Sequence, residues 1–175
     1  MSQNNLTKFC LLLLWLFSTP LWAATRIAIL DFELHDLTLA PRIPAEIQRT
    51  ASIKNRLEQE LRSAGYQIIT IDFDAQHKAN SGFGYLFEHS DIAANLANKF
   101  GADYVLVGKL HKPSYLFAYL MGHLVNSHTG RLVGNYVIET KGSDLKLTRK
   151  AVESLTSKID ADLDHLYTFP TPSKR

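Results

Sequence analysis

The spacing of apolar residues along this chain changes repeatedly, and each change marks an element. "RIAILDF", residues 26–32, is a continuous apolar run rich in isoleucine, the pattern of a strand buried on both faces. In residues 41–65, "PRIPAEIQRTASIKNRLEQELRSAG", Ile47, Ile53, Leu57, Leu61 and Ala64 recur at near-helical spacing, with Thr50 and Ala51 in the same stripe. Pro44 suits a first turn and Gly65 a carboxyl cap, so this stretch is predicted to be a helix. "YQIITI", residues 66–71, is a second buried strand. Residues 72–89 mix Asp, Asn, Ser and Gly with aromatics and show no period, so a long loop is expected there. Ser90 then caps a helix in which Ile92, Ala93, Leu96, Ala97 and Phe100 share a face. It stops at Gly101, and "ADYVLVG", residues 102–108, reads as a third buried strand.

Beyond that point the pattern becomes extended. Residues 114–126, "SYLFAYLMGHLVN", and 131–141, "RLVGNYVIETK", flank "SHTG" and predict a β-hairpin with Gly130 in its turn. A last helix carries Val152, Leu155, Ile159, Leu163 and Leu166 as its stripe, with Ser143 as its cap, and residues 168–175 have the Pro and Ser content of a flexible tail. Right-handed crossovers then give a three-layer α/β fold. Three parallel strands in the order 2-1-3 are extended by the antiparallel hairpin, and three main helices include a first and a second on opposite faces.

The amino terminus sets the expected compartment. Residues 1–8 are polar with one positive charge at Lys8, "FCLLLLWLF" is a short apolar core, and "STPLWAA" ends in small residues suited to cleavage after Ala23. Residues 1–23 therefore read as a secretory signal peptide, and residues 24–167 as a single domain that is periplasmic or secreted. The apolar run is far shorter than the roughly 20 residues a membrane span needs, so no stable membrane insertion is expected after cleavage. Cys10 follows Lys8 and Phe9 rather than small residues at the end of the apolar core, which does not fit a lipoprotein signal.

Cleavage at that point removes Lys8 and the one cysteine, leaving 18 basic against 17 acidic residues. Without a thiol, no disulfide, thiolate metal site or cysteine nucleophile is available to the mature chain. The near-neutral charge argues against a nucleic-acid partner, which calls for concentrated Lys and Arg.

Candidate chemistry centres on "DFELHD", residues 31–36, at the carboxyl end of the first strand, where ligands tend to bind in open α/β sheets. Strict alternation would put Asp31, Glu33 and His35 on one side, three oxygen and nitrogen donors able to converge on a ligand, a metal or a proton-transfer site. The competing reading is that these polar residues end a buried strand and satisfy backbone donors in the next loop.

Other motifs are weaker. The histidines at 35, 77, 89, 111, 123, 128 and 165 form no zinc motif, so no tightly bound metal and no cofactor is expected. "NSGFGYLF" lacks the context of a phosphate loop, no Ser sits in a Gly-x-Ser-x-Gly elbow, and "DADLDH" continues an apolar helical stripe rather than forming a calcium loop. In the hairpin, alternation places Tyr115, Phe117, Tyr119, Met121 and His123 on one face. Facing helices, that stripe is core; uncovered, it is a partner-binding surface.

"IAILDFEL", "DIAANLANKFGADYVLVGKLHK" and the turn "NSHTGRLV" resemble a family of small exported bacterial proteins of unknown function, the 2380/3280 type. More distantly, a first strand ending in Asp-Phe and a later "GADYVLVG" resemble periplasmic α/β domains of the TolB amino-terminal, curli-secretion and penicillin-binding-protein-activator type. Those domains bind other proteins, so the resemblance implies a fold and a style of function. The nearer family often has a Cys-x-x-Cys before the second helix, where this chain has "YLFEHSDI". The expectation is a non-catalytic binding or accessory module with a periplasmic protein partner. Its rival is a small-ligand or metal-binding protein, or an enzyme, with its site at the end of the first strand.

Overall fold

The computed structural model describes residues 24–41, 43–141 and 145–168, with side chains to residue 166. The expected signal peptide, the capping role of Ser143 and the tail from residue 169 lie outside the described residues. The elements are β1 (Arg26–Ile29), β2 (Glu33–Asp36), α1 (Pro44–Ser63), β3 (Gln67–Ile69), α2 (Phe73–Ala79), α3 (Tyr85–Glu88), α4 (Ser90–Lys99), β4 (Tyr104–Lys112), β5 (Phe117–Asn126), β6 (Leu132–Lys141) and α5 (Leu145–Thr168).

The sheet runs β3-β1-β4-β5-β6, with β1, β3 and β4 parallel and β5 and β6 antiparallel. The three parallel strands thus take the order 2-1-3 read from the sequence. Continuous apolar runs produce the layering: Ile27 and Ile29 face α1 and α5, while Ala28 and Leu30 face α2, α3 and α4. The first face holds Leu57, Leu61, Leu155 and Ile159 without solvent exposure, each burial contributing about 1.5–3 kcal/mol. The second is closed by the small residues Ala93, Ala94 and Ala97 of α4 against Val105 and Val107. No helix among the described residues is long and apolar enough to cross a membrane.

The layering thins along the sheet. On β5, Ala118, Leu120 and Leu124 are buried on the α1–α5 face, whereas the opposite face carries the half-buried Tyr119, Met121 and His123. Beyond them, the outer face of β6 is exposed at Asn135, Val137 and Glu139. Gly130, at φ +67°, turns the hairpin as predicted, and its N–H donates to the Asn126 carbonyl at 2.9 Å.

Three expectations are corrected. Residues 72–89 are not a structureless loop but hold α2 and α3, because the Asp72 carboxylate caps the Ala75 N–H at 2.7 Å and starts a helix that the 3.6-residue period does not signal. β3 is a three-residue edge strand with Gln67 exposed rather than a fully buried one. In α1, Ile47 is exposed and Ala64 lies outside the core, and the first turns bury Glu46 and Arg49 instead.

Candidate functional site

The first strand does not run straight through "DFELHD". Ile29 pairs with Leu106 and Glu33 with Lys109, so four residues on one strand span three on the other. The extra residue is a bulge, and a bulge exchanges the two faces of a strand. Phe32 and Leu34 consequently continue the α1–α5 core face, while Glu33 and His35 pass to the α2–α3 side. Gly108 makes this possible: the Phe32 ring lies where its Cβ would stand, 2.0 Å from the nearest ring carbon.

The three acidic and histidine candidates therefore take separate partners. Asp31 accepts from Lys54 Nζ of α1 at 2.8 Å, and its backbone is clasped by the Gln76 side chain of α2. Glu33 accepts from Asn80 Nδ2 at 2.9 Å and from the Gly84 N–H, anchoring the turn before α3. His35 lies against His111 of β4, Nδ1 to Nδ1 at 3.2 Å, with Phe83 edge-on to its ring. Burial, then the neighbouring His35 and Lys109, holds the His111 imidazole below its ordinary pKa, favouring the neutral ring.

Asp31 opens onto a crevice at this end. A crevice of about 420 Å³ lies beyond the end of β1, between α1 and the start of α2. Phe32 and Leu34 belong to its lining, Thr50 and Ala51 come from α1, and the Lys54–Asp31 pair supplies its charge. Ile47 and Phe73, both largely exposed, complete the lining. Apolar walls with one ion pair suit an apolar group carrying a polar neighbour.

Beneath the same end lies a charged cluster that sequence reading missed. Lys112 Nζ sits 3.1 Å from Glu46 Oε1 and 3.9 Å from Asp36 Oδ2. Arg49 reaches Glu46 at 3.2 Å, Thr148 Oγ1 at 2.7 Å and Thr140 Oγ1 at 3.2 Å. Two carboxylates and two cations, all with side chains no more than 3% exposed, thus join β2, β4, α1, β6 and α5. The one signal available was the i, i+3 pairing of Glu46 with Arg49 on a face otherwise apolar.

Around that cluster exposed apolar side chains are concentrated. Of the fourteen exposed large apolar side chains among the described residues, ten stand at the carboxyl end of the parallel strands. Leu37, Leu39 and Ile43 come from the β2–α1 connection, and Leu39 is 98% exposed. Ile47 begins α1, Phe73 begins α2 at 68% exposure, Phe83 precedes α3, and Leu145 begins α5. The β4–β5 connection adds Tyr115 and Leu116, and Phe117 opens β5. Tyr115 Oη accepts from the Ala40 N–H at 3.1 Å, tying two of these loops together. The aromatic stripe of the hairpin is therefore split. Tyr115 and Phe117 join the apolar end, Tyr119 lies half-buried alongside His111, and Met121 packs on the α4 core. His123 stacks on Phe87 at 3.9 Å.

Among the described residues no group of three or more His, Cys, Asp or Glu is placed to hold a metal ion.

Residues 25–159 match the model of a family described as protein of unknown function (DUF2380). No curated protein matches the chain. Among solved structures, the hypothetical protein CT253 from Chlamydia trachomatis is similar at 10% identity and a TM-score of 0.56, over 81% of this chain and 98% of that one. The PelC dodecamer from Paraburkholderia phytofirmans is similar at 17% identity and a TM-score of 0.50, over 80% of this chain and 87% of that one. TolB from Acinetobacter baumannii, the type of domain the sequence resembled, is similar at 14% identity and a TM-score of 0.47, over 83% of this chain and 28% of that one. At these identities the likeness to CT253 and PelC is one of fold.

Proposed function

The chain belongs to the DUF2380 family of proteins of unknown function, and we propose that it is an exported, single-domain, non-catalytic binding module that takes a protein partner on the carboxyl end of its parallel strands. Export rests on the signal pattern of residues 1–23. The observation that carries the binding reading is the crowding of exposed apolar side chains around the crevice at that end. Large exposed apolar patches on soluble domains mark interaction sites. Phe73 and Ile47 beside the crevice would hold an apolar side chain of the partner, a burial contributing about 1.5–3 kcal/mol. The Lys54–Asp31 pair would orient polar groups next to it. Tyr115 and Phe117 extend the contact towards the hairpin, and Tyr119 and Met121 support it from the half-buried side.

A photo-reactive residue placed at Leu39 or Phe73 in producing cells tests this, with Phe100, at the opposite end of the sheet, as the control position. The expected result is one discrete protein adduct from Leu39 and Phe73 and none from Phe100. Adducts of equal yield from all three positions, or from none, would refute the reading. The adduct mass also identifies the partner's class. PelC is a dodecamer, and self-association of this chain would give twice its own mass.

A second reading is supported by the size of the crevice, about 420 Å³, which lies within the roughly 300–1,000 Å³ common for small-molecule sites. Asp31 would then be a ligand-facing group, with Glu33 and His35 holding the neighbouring turn and strand. Native mass spectrometry of the purified protein tests it: a bound small molecule lost in Lys54→Met favours this reading over the first.

A further inference from the structure

We propose that His35 and His111 form a two-imidazole site for a divalent zinc ion, with water on the remaining coordination positions. The two residues lie directly opposite each other in the parallel β2–β4 register, so the backbone ladder fixes their separation. Their rings are held from outside by Phe83, edge-on to His35 with centroids 5.5 Å apart, and by Tyr119, stacked alongside His111 at 6.4 Å.

The separation suits a tetrahedral ion. Two imidazole nitrogens about 2.0–2.1 Å from a common zinc and 3.2 Å from each other subtend an angle of about 99–106° at the metal, near the tetrahedral value zinc takes. A square-planar ion with two cis nitrogens at the same distance would bring them to about 2.9 Å, so copper(II) in its preferred geometry fits less well.

The surroundings leave the pair available. Glu33, the nearest carboxylate on the same face of β2, is held by Asn80 and Gly84. Lys109, beside His111 on β4, places its ammonium over the Phe87 ring at 4.0 Å and 3.5 Å from the Glu88 carboxylate, which offsets part of the charge felt by the imidazoles. A space of about 190 Å³ opens beside His35, bordered by Leu34, Asp36, Pro41 and Phe83, so solvent reaches the His35 side of the pair. With two protein donors the ion exchanges readily, which separates this site from a closed structural zinc. The pairing joins residues 76 positions apart that no spacing motif connects.

Calorimetric titration of the untagged protein with zinc chloride is the test. One saturable site is expected, weakened about tenfold or more in both His35→Gln and His111→Gln and unchanged in His77→Gln, with all three variants melting as the parent does. Long-range proton–nitrogen NMR of the unsubstituted protein gives a readout that needs no variant: zinc should shift the Nδ1 resonances of these two rings and of no other histidine. A pair held only by its own N–H···N hydrogen bond would show no saturable zinc binding. That result, retention of the affinity by either variant, or a shift of other histidines instead, would overturn the proposal.

Discussion

At the amino-terminal end of the parallel strands the charges face water. Arg26 Nη2 donates to Asp103 Oδ1 at 2.7 Å, its Nε and backbone N–H donate to Oδ2 at 3.1 and 3.0 Å, and His128 approaches the same carboxylate at 3.4 Å. The loop is drawn shut by the Asp103 N–H to Arg26 carbonyl bond at 2.8 Å and the Ser127 N–H to Asp103 carbonyl bond at 2.9 Å. At the other end one set of charges is buried and apolar side chains crowd the surface beside the part-exposed Lys54–Asp31 pair. Asp36, Glu46, Arg49 and Lys112 are inside, and Leu39, Phe73 and Leu116 are outside. Water sorts side chains in the first sense, since burying charge costs several kcal/mol per ion and exposed apolar area gains nothing. An end built in the second sense leaves apolar area exposed, and that exposure is the observation behind the binding reading.

The sharpest way to break this comparison is to empty the inner cluster. Glu46→Ala removes the carboxylate that both Arg49 and Lys112 approach and leaves two buried cations with Asp36 as the remaining carboxylate of the cluster. A loss of about 3–5 kcal/mol in urea denaturation is expected. A loss under about 1 kcal/mol would mean that the cluster is solvated in solution and that the two ends are alike.

A smaller change tests the bulge that aims the crevice. Gly108→Ala puts a methyl group 2.0 Å from the Phe32 ring. The contacted atom is the far end of a side chain, so the ring can swing towards the crevice, at a cost of about 1–3 kcal/mol by thermal melting. The same change should lower adduct formation from Phe73 by filling the space beneath it.

That bulge also explains what the sequence could and could not reveal. The strands β1, β3 and β4, the helices α1, α4 and α5, and the hairpin were legible from their apolar patterns, whereas β2 was read as the end of the first strand. The 2-1-3 order followed from right-handed crossovers. "DFELHD" marked the right end of the sheet, yet the convergence of Asp31, Glu33 and His35 assumed unbroken alternation, and one extra residue set by contact with Gly108 sends Asp31 to α1 and the others to the opposite face. Glu46 and Arg49 were passed over because charged residues in a first helical turn ordinarily face water. Their burial depends on Lys112, Thr140 and Thr148, which only the folded topology brings near. The pairing of His35 with His111 was hidden for the same reason.

At the polar end the comparison predicts a pH effect. Hydrogen bonds from Arg26 hold the Asp103 carboxyl below its ordinary value of 3.8. A depressed carboxylate stabilises the fold fully above that value, and the contribution is lost as pH falls through the lower folded-state value. The melting-temperature difference between the parent and Asp103→Asn should therefore shrink as pH falls below 3.8. Because the clasp is partly open to water, the difference should be smaller than that produced by Glu46→Ala. A difference that grows on acidification would mean that Asp103 titrates above its ordinary value and that the clasp does not form.

The smallest expected change in stability belongs to the most exposed side chain at the apolar end. Leu39 is 98% exposed, so Leu39→Ser removes almost no buried area, and the free energy of unfolding should stay within about 0.5 kcal/mol of the parent. Leu57→Ala, by contrast, empties a fully buried position and should cost about 2–5 kcal/mol. If Leu39 is covered by a partner, its loss should weaken association by about 1 kcal/mol or more, read as a reduced yield of the Phe73 adduct in cells. The two measurements divide the outcomes cleanly. Unchanged stability with a weaker adduct is what a surface awaiting a partner gives. Unchanged stability with an unchanged adduct moves the contact away from the β2–α1 connection and onto Tyr115 and Phe117, where Tyr115 already bonds the Ala40 backbone and would steady the loop whether or not Leu39 is touched. A drop in stability comparable to that of Leu57→Ala would mean that the connection folds down over the crevice in solution, making Leu39 core and removing the contrast between the two ends of the sheet.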